Sequence, residues 1–333
     1  MFAGLDYPVP FRPDGRVRWP APDPASPFWI EGPALISFSG GRTSAFMLFQ
    51  ILWAHGGVLP ADCHVTFANT GLEREETLRF VHECATRWGV RIRWLEWKDR
   101  ESAKTPASER FDEVGFNSAS RDGEPFRALI NRKRYLPNAV SRFCTAELKI
   151  DTMKQFMLAQ GYEEWRNIVG LRADEMRRIA KQQARNEEGR ERWQSAWPML
   201  KAGTTKRDVW RFWLGGNLDP RKPTLPLPLG FDLGLWPYEG NCTHCFLKGR
   251  DVLMFQERER PGSIDPWIDI EQLGSDLASK ASGAQFVTEY SYADLKRDVA
   301  RSPLLIDIDP MHLEAEGECG VGGTDTKIRC GAK

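Results

Sequence analysis

The strongest constraint on this chain is a glycine turn set between two apolar segments. Ala34-Leu35-Ile36-Ser37-Phe38 runs into Ser39-Gly40-Gly41-Arg42-Thr43-Ser44, and Ser44 to His55 follows as a helix with a broad apolar face. The alternation repeats. His64 to Ala68 reads as a second strand ending at Asn69-Thr70-Gly71, Glu75 to Trp88 as a helix closed by Gly89, and Arg91 to Trp97 as a third strand. Strand, helix, strand, helix, strand predicts an α/β fold: an open, mainly parallel twisted sheet with helices on both faces. Further on, Asp151 to Gln160 and Thr205 to Leu214 read as helices and Asn167 to Leu171 as a strand. The stretch from Asp99 to Arg142 is polar and irregular, and Arg172 to Arg192 is densely charged.

The 333 residues, 41% of them hydrophobic, suffice for one large domain or a domain with a substantial appendage, without disulfides. The expected division is a Pro-rich arm over 1–30, the α/β domain over 31–240, and a C-terminal region over 241–333 that carries a C-x-x-C and a tail expected to be mobile. Formal net charge is zero, which excludes a whole-molecule attraction to nucleic acid. A local basic face remains open, because Arg121 to Lys149 holds seven basic residues against three acidic ones. No apolar run approaches the roughly 20 residues a bilayer demands, so no membrane partner is expected. The N-terminus lacks the charged start and apolar block of a secretory signal. The seven cysteines are an odd number in a chain that does not need stapling. That argues for the reducing cytoplasm and for metal or thiol chemistry at some of them.

A strand that enters Ser-Gly-Gly-x-x-Ser and then a helix presents backbone N–H groups at a helix N-terminus, where donors and dipole favour an anion. The glycines let the backbone approach closely, and Ser39, Thr43 and Ser44 add hydroxyls. The Walker pattern is absent, so this is not a P-loop of that kind. The alternative is a plain turn. The position of Asn69-Thr70-Gly71, at the carboxyl end of the second strand where open α/β sheets bind ligands, argues against it.

Four runs, SFSGGRTS, FANTGLEREETLRFV, RFCTAELKI and VGLRADEMRRI, occur in this order. With them the chain resembles, over roughly residues 35–249, the phosphoadenosine phosphosulfate (PAPS) reductase family of the PP-loop superfamily. The resemblance implies an adenine nucleotide, ATP or one like PAPS, held by Ser37, Ser39, Gly40, Gly41, Arg42, Thr43 and Ser44. Arg42-Thr43 stands where the family usually has Lys-Asp, and Arg42 keeps a cation for phosphate. Asn69, Thr70 and Gly71 would lie near the nucleotide. Glu73 would position magnesium or ribose, the alternative being a solvated carboxylate at a helix start. Arg172 matches the family arginine that contacts the phosphate or sulfate end of substrate, a role suited to a planar donor fork. Lys149 would face anionic substrate. Arg177 and Arg178 read as part of an exposed charged segment.

Cys242-Thr243-His244-Cys245 is a C-x-x-C, which points to metal or redox chemistry. In the branch of the family that carries a [4Fe-4S] cluster, a cysteine pair precedes the lysine; here Cys144 aligns with its first member. The implied ligands are Cys144, Cys242 and Cys245, with Cys319, Cys330 or no residue as the fourth. Zinc with His244 or His312, and unligated thiols, are the alternatives. Glu318-Cys319-Gly320 resembles the reductase tail whose cysteine is a nucleophile, but lacks the tail histidine. Cys319 is therefore a candidate nucleophile, a candidate fourth ligand, or a coincidence. Cys63 and Cys84 are expected to pack in the core. The catalytic candidates are Cys319, Arg172 and Lys149. Three functions follow from the resemblance. The first is an ATP pyrophosphatase that adenylates a nucleic acid or nucleotide and thiolates it with sulfur from a cysteine-desulfurase donor. The second is a thioredoxin-dependent PAPS or adenosine phosphosulfate reductase. The third is a nucleotide-binding partner protein without catalysis.

Overall fold

The computed structural model describes residues 17–215, 231–240, 242–278 and 284–301. Strands β1 (Ala34–Ser37), β2 (Cys63–Asn69), β3 (Ile92–Trp97), β4 (Phe111–Val114), β5 (Trp165–Ile168) and β6 (Trp193–Ala196) form one sheet in the order β4-β3-β2-β1-β5-β6. All neighbours pair parallel except β4, which closes one edge antiparallel to β3. The α/β class with a mainly parallel sheet is therefore the fold.

Side-chain alternation along the strands builds the two layers, since successive residues face opposite sides. Ala34, Ile36, Val65, Phe67, Ile92 and Trp94 face a large core with helix α1 (Arg42–Ala54), helix α2 (Glu75–Trp88) and, later in the chain, α7 (Lys206–Leu214). Leu35, Ala68 and Leu95 face the other side, where Met153, Phe156 and Met157 of α4 (Thr152–Ala159) cover them. Helix α1 is buried along almost its whole length, as its apolar sequence requires. Gly89 ends α2 in the left-handed conformation at φ 67°, which glycine adopts without steric penalty.

Several boundaries differ from the sequence reading. Helix α1 begins at Arg42, inside the glycine turn. Strand β5 stops at Ile168, so Val169-Gly170-Leu171 is free to bend toward the carboxyl end of β1. The irregular stretch contains β4 and α3 (Glu124–Lys133), and the charged stretch contains α5 (Met176–Glu187) with Ile179 and Gln182 buried. Cys144–Asp151 is a π-helix continuing into α4; such widened turns concentrate at functional sites.

Residues before the sheet bury Val17, Phe28 and Ile30 in the main core. The segment following the C-x-x-C forms α8 (Arg250–Glu259), α9 (Asp265–Leu277) and α10 (Tyr292–Arg301), α6 (Pro198–Lys201) being a single turn before α7. Leu253, Trp267, Ile270 and Tyr292 from these helices share a second buried cluster with Phe126, Leu129, Cys144, Cys242 and Cys245. Among the described residues no helix is long and apolar enough to cross a membrane.

Candidate active site

The chain moves from β1 through β2 to β3 on one side, then returns to place β5 on the other side of β1. That reversal opens a crevice at the carboxyl ends of β1 and β5, the switch point at which open α/β sheets bind ligands. A pocket lies there, lined by Ser37, the turn from Ser39 to Ser44, Gly170, Arg172 and Lys149.

The turn is rigid from within. Ser39 N donates to Ser44 Oγ at 3.1 Å, the two hydroxyls are 3.0 Å apart, and Ser44 Oγ donates to Gly41 O at 3.0 Å. Gly40 sits at φ 76°, and a Cβ there would lie 2.7 Å from Thr77 Cγ2. Only glycine fits that place. Gly170 lies beside the turn, where an added Cβ would be in ordinary contact with the Ser44 backbone at 3.5 Å. Ser37 Oγ donates to Asn167 Oδ1 at 3.0 Å, joining β1 to β5 beneath the pocket.

Arg172 reaches the loop directly, with Nη1 donating to Thr43 Oγ1 at 3.3 Å. Asp174 accepts from its Nε at 2.9 Å and also from Lys206 N at 2.8 Å, which ties this arginine to the start of α7. Lys149, from the π-helix, also lines the pocket. Arg178 also lines it, paired with Glu175, which corrects the reading of this residue as part of an exposed segment. Lys206, Trp210 and Trp236 line it too and were missed in the sequence. Tryptophans spread without a period, and a lysine at a helix start, carry no motif.

Two sets of the expected nucleotide contacts are engaged with other groups of the chain. Arg42 lines the pocket, and its guanidinium is bound to Asp232 and the Leu235 carbonyl. Asn69, Thr70, Gly71 and Glu73 lie at the end of β2 but do not line this pocket. Asn69 Nδ2 donates to Glu96 Oε1 at 2.6 Å and to Ser120 O at 2.9 Å. Glu73 is buried, not solvated: it accepts from Thr70 N and Thr70 Oγ1, each at 2.9 Å. These groups satisfy one another inside the turn after β2.

The C-x-x-C is docked onto that turn. Glu73 and Cys242 form an antiparallel bridge, and Thr243 N donates to Leu72 O at 2.9 Å. Cys242 Sγ is 3.3 Å from Thr70 Oγ1 and 3.8 Å from Glu73 Oε1, and Lys149 Nζ is 3.7 Å from that same Glu73 oxygen. The cysteine thus shares a charged partner with a residue of the pocket. The loop is also basic inside. Lys248 is buried, with its ammonium on the carbonyls of Cys242 and Thr243. Burial, countered by Cys245, lowers its pKa to about 8. His244 is fully buried, and neither ring nitrogen has a hydrogen-bond partner among the described residues. Burial, reinforced by Lys248 and Arg74, pushes its pKa down to about 2, so the ring is neutral.

Cys144, Cys242 and Cys245 are all buried, reduced and in one apolar cluster. Among the described residues, however, no three His, Cys, Asp or Glu side chains are disposed to hold a metal ion. Cys319, Cys330 and His312 lie outside the described residues. Cys63 and Cys84 pack in the main core. In the basic stretch, Arg121 pairs with Glu75, Arg132 with Asp99 and Lys133 with Glu147, so much of its charge is answered within the chain.

The phosphoadenosine phosphosulfate reductase domain model matches residues 33–222. The chain is similar to the uncharacterized nin region protein ORF290 of Escherichia phage lambda, 29% identical over 150 residues that cover 44% of this chain and 50% of that protein. It is also similar to the uncharacterized protein MJ0066 of Methanocaldococcus jannaschii, 28% identical over 144 residues, 43% of this chain and 23% of that protein. The chain therefore spans at most about half the length of these two curated relatives. No solved structure gives a significant match. The family match covers more than half of the chain and contains the glycine turn, Lys149 and Arg172: the protein belongs to the phosphoadenosine phosphosulfate reductase family of the PP-loop superfamily.

Proposed function

We propose that this protein binds ATP in the pocket above β1 and β5 and uses it to drive sulfur transfer onto a nucleic acid or nucleotide. The observation that carries the reading is the chain Lys149–Glu73–Cys242, with separations of 3.7 and 3.8 Å. It places a buried thiol one carboxylate away from a lysine of the nucleotide pocket. The turn from Ser39 to Ser44 holds phosphate through backbone N–H groups and hydroxyls. Arg172 and Lys149 answer the charge that grows on the α-phosphate and on pyrophosphate as an acceptor oxygen attacks. Pyrophosphate leaves, and the adenylated carbon becomes open to a sulfur nucleophile that expels AMP. Adenylation turns a poor oxygen leaving group into a good one.

The sulfur comes from a persulfide donor of the cysteine-desulfurase kind: its outer sulfur passes to Cys242 with release of the donor thiol, that terminal sulfur displaces AMP from the adenylated carbon, an external thiol cleaves the remaining S–S bond to free the thiolated product, and a second thiol equivalent restores Cys242. The odd number of cysteines in a chain of this length supports a cytoplasmic setting. The test is pyrophosphate release from ATP, measured with and without RNA, DNA and free nucleotides. Release that depends on an acceptor and falls in Lys149→Ala supports the proposal. Sulfite formed from PAPS with thioredoxin, and no pyrophosphate from ATP, would replace it with the reductase activity.

A further inference from the structure

Arg42 stands in the phosphate turn, yet its side chain serves another part of the pocket. Its Nε and Nη2 donate to the two carboxylate oxygens of Asp232 at 2.8 and 2.5 Å, and Nη1 donates to Leu235 O at 2.7 Å. The guanidinium carbon lies 4.8 Å from the Trp210 ring centre, and Trp213 Nε1 donates to Arg42 O at 2.9 Å. Both ends of the ion pair are buried. A forked pair of this kind fixes direction as well as distance.

Asp232 stands next to Leu233, which with Trp236 and Gly240 supplies one wall of the nucleotide pocket. Phe231, Leu233 and Leu235 are buried in the main core, and polar contacts fix the backbone between them. Gly234 N donates to Asp232 Oδ2 at 2.8 Å, and Arg79 Nη2 holds the carbonyls of Asp232 and Leu233 at 3.2 and 3.3 Å. Trp236 N donates to Glu239 Oε2 at 2.9 Å, which closes the turn that carries its indole. The wall is apolar and aromatic, whereas the opposite side is polar turn, Arg172 and Lys149. A nucleotide entering this pocket divides accordingly: phosphates toward the turn, and the flat base toward Leu233, Trp236 and Trp210.

We infer that the Arg42–Asp232 pair is a latch that sets the base-recognising wall of the pocket, so that Arg42 governs adenine recognition and not phosphate charge. Arg42 and Asp232 are positioning residues, acting through Leu233 and Trp236. The inference rests on the nucleotide reading above and deepens it. One consequence separates the two roles open to an arginine in this turn. A phosphate ligand contributes more to ATP than to adenosine. A latch on the base wall contributes equally to both, and also to the discrimination of adenine from guanine.

The experiment is equilibrium titration of adenosine, AMP, ATP and GTP into wild type, Asp232→Asn, Arg42→Lys and Trp236→Ala. Asp232→Asn and Arg42→Lys are expected to weaken adenosine, AMP and ATP by one common factor, about tenfold or more, since each leaves a buried charge poorly paired. The preference for ATP over GTP should fall in parallel, which general loosening of the fold does not produce. Trp236→Ala leaves the latch intact and should show the same equal loss, so the inference stays testable if the latch variants fold badly. Loss that grows with the number of phosphates, or unchanged base preference in all three variants, overturns the latch while leaving the nucleotide reading standing. Failure of wild type to bind any of the four ligands overturns both.

Discussion

Arg172 and His55 show how much a single side chain decides here. Arg172 touches Thr43 of the phosphate turn and is held in place by Asp174. Arg172→Ala is expected to weaken ATP by about 10- to 100-fold, the range for a lost charge-assisted hydrogen bond, and to leave adenosine binding nearly unchanged. Parallel titrations of the two ligands check this, and equal losses would contradict it. His55 is far from the pocket and serves the fold. Its Nε2 accepts from Ile30 N at 3.1 Å, its ring stacks on Trp29 at 4.0 Å, and burial lowers its pKa. The unfolded chain takes up a proton near pH 6.5 and the folded chain resists it. Stability is therefore expected to fall as pH drops below about 6.5. Urea denaturation across pH 5 to 8 should show that slope in wild type and a shallower one in His55→Gln. At this scale, Ser39, Ser44 and Arg172 were legible because turn chemistry and motif order are local. The pairing of Arg42 with Asp232 was not legible, because the two are distant in sequence and no local pattern joins them.

Elements position these side chains, and glycine geometry shows how tightly. Gly40 and Gly89 both have positive φ, but a Cβ at Gly89 meets nothing within 4 Å, while one at Gly40 collides with Thr77. Gly89→Ala is expected to cost about 1 kcal/mol of stability from backbone strain alone. Gly40→Ala adds a clash inside the phosphate turn, so ATP binding should be lost where Gly89→Ala preserves it. Denaturation and nucleotide titration of both variants give the comparison, and intact ATP binding in Gly40→Ala would contradict it. The β1–α1–β2–α2–β3 run was readable from its period-2 and period-3.6 patterns. The π-helix over Cys144–Asp151 was not, because its hydrogen-bond spacing leaves no distinct mark in residue type. Edge strand β4 was hidden by its polar, half-exposed composition.

In the whole molecule, two buried clusters meet at the turn after β2. The sheet core orients the phosphate turn, and the cluster of α8, α9 and α10 holds the C-x-x-C against Leu72 and Glu73. Sequence order alone placed Cys242 after the pocket; the fold places it beside Lys149, through Glu73. Such a contact between distant segments depends on the complete sheet order, which strand patterns do not specify. The central claim is that an adenine nucleotide occupies the crevice between the phosphate turn and the 231–240 wall. Photo-crosslinking with 8-azido-ATP, followed by peptide mapping, tests it most directly. The account predicts cross-links in residues 206–214 or 231–240 that excess ATP suppresses. Labelling that ATP does not suppress, or that is confined to α9 and α10, would contradict it.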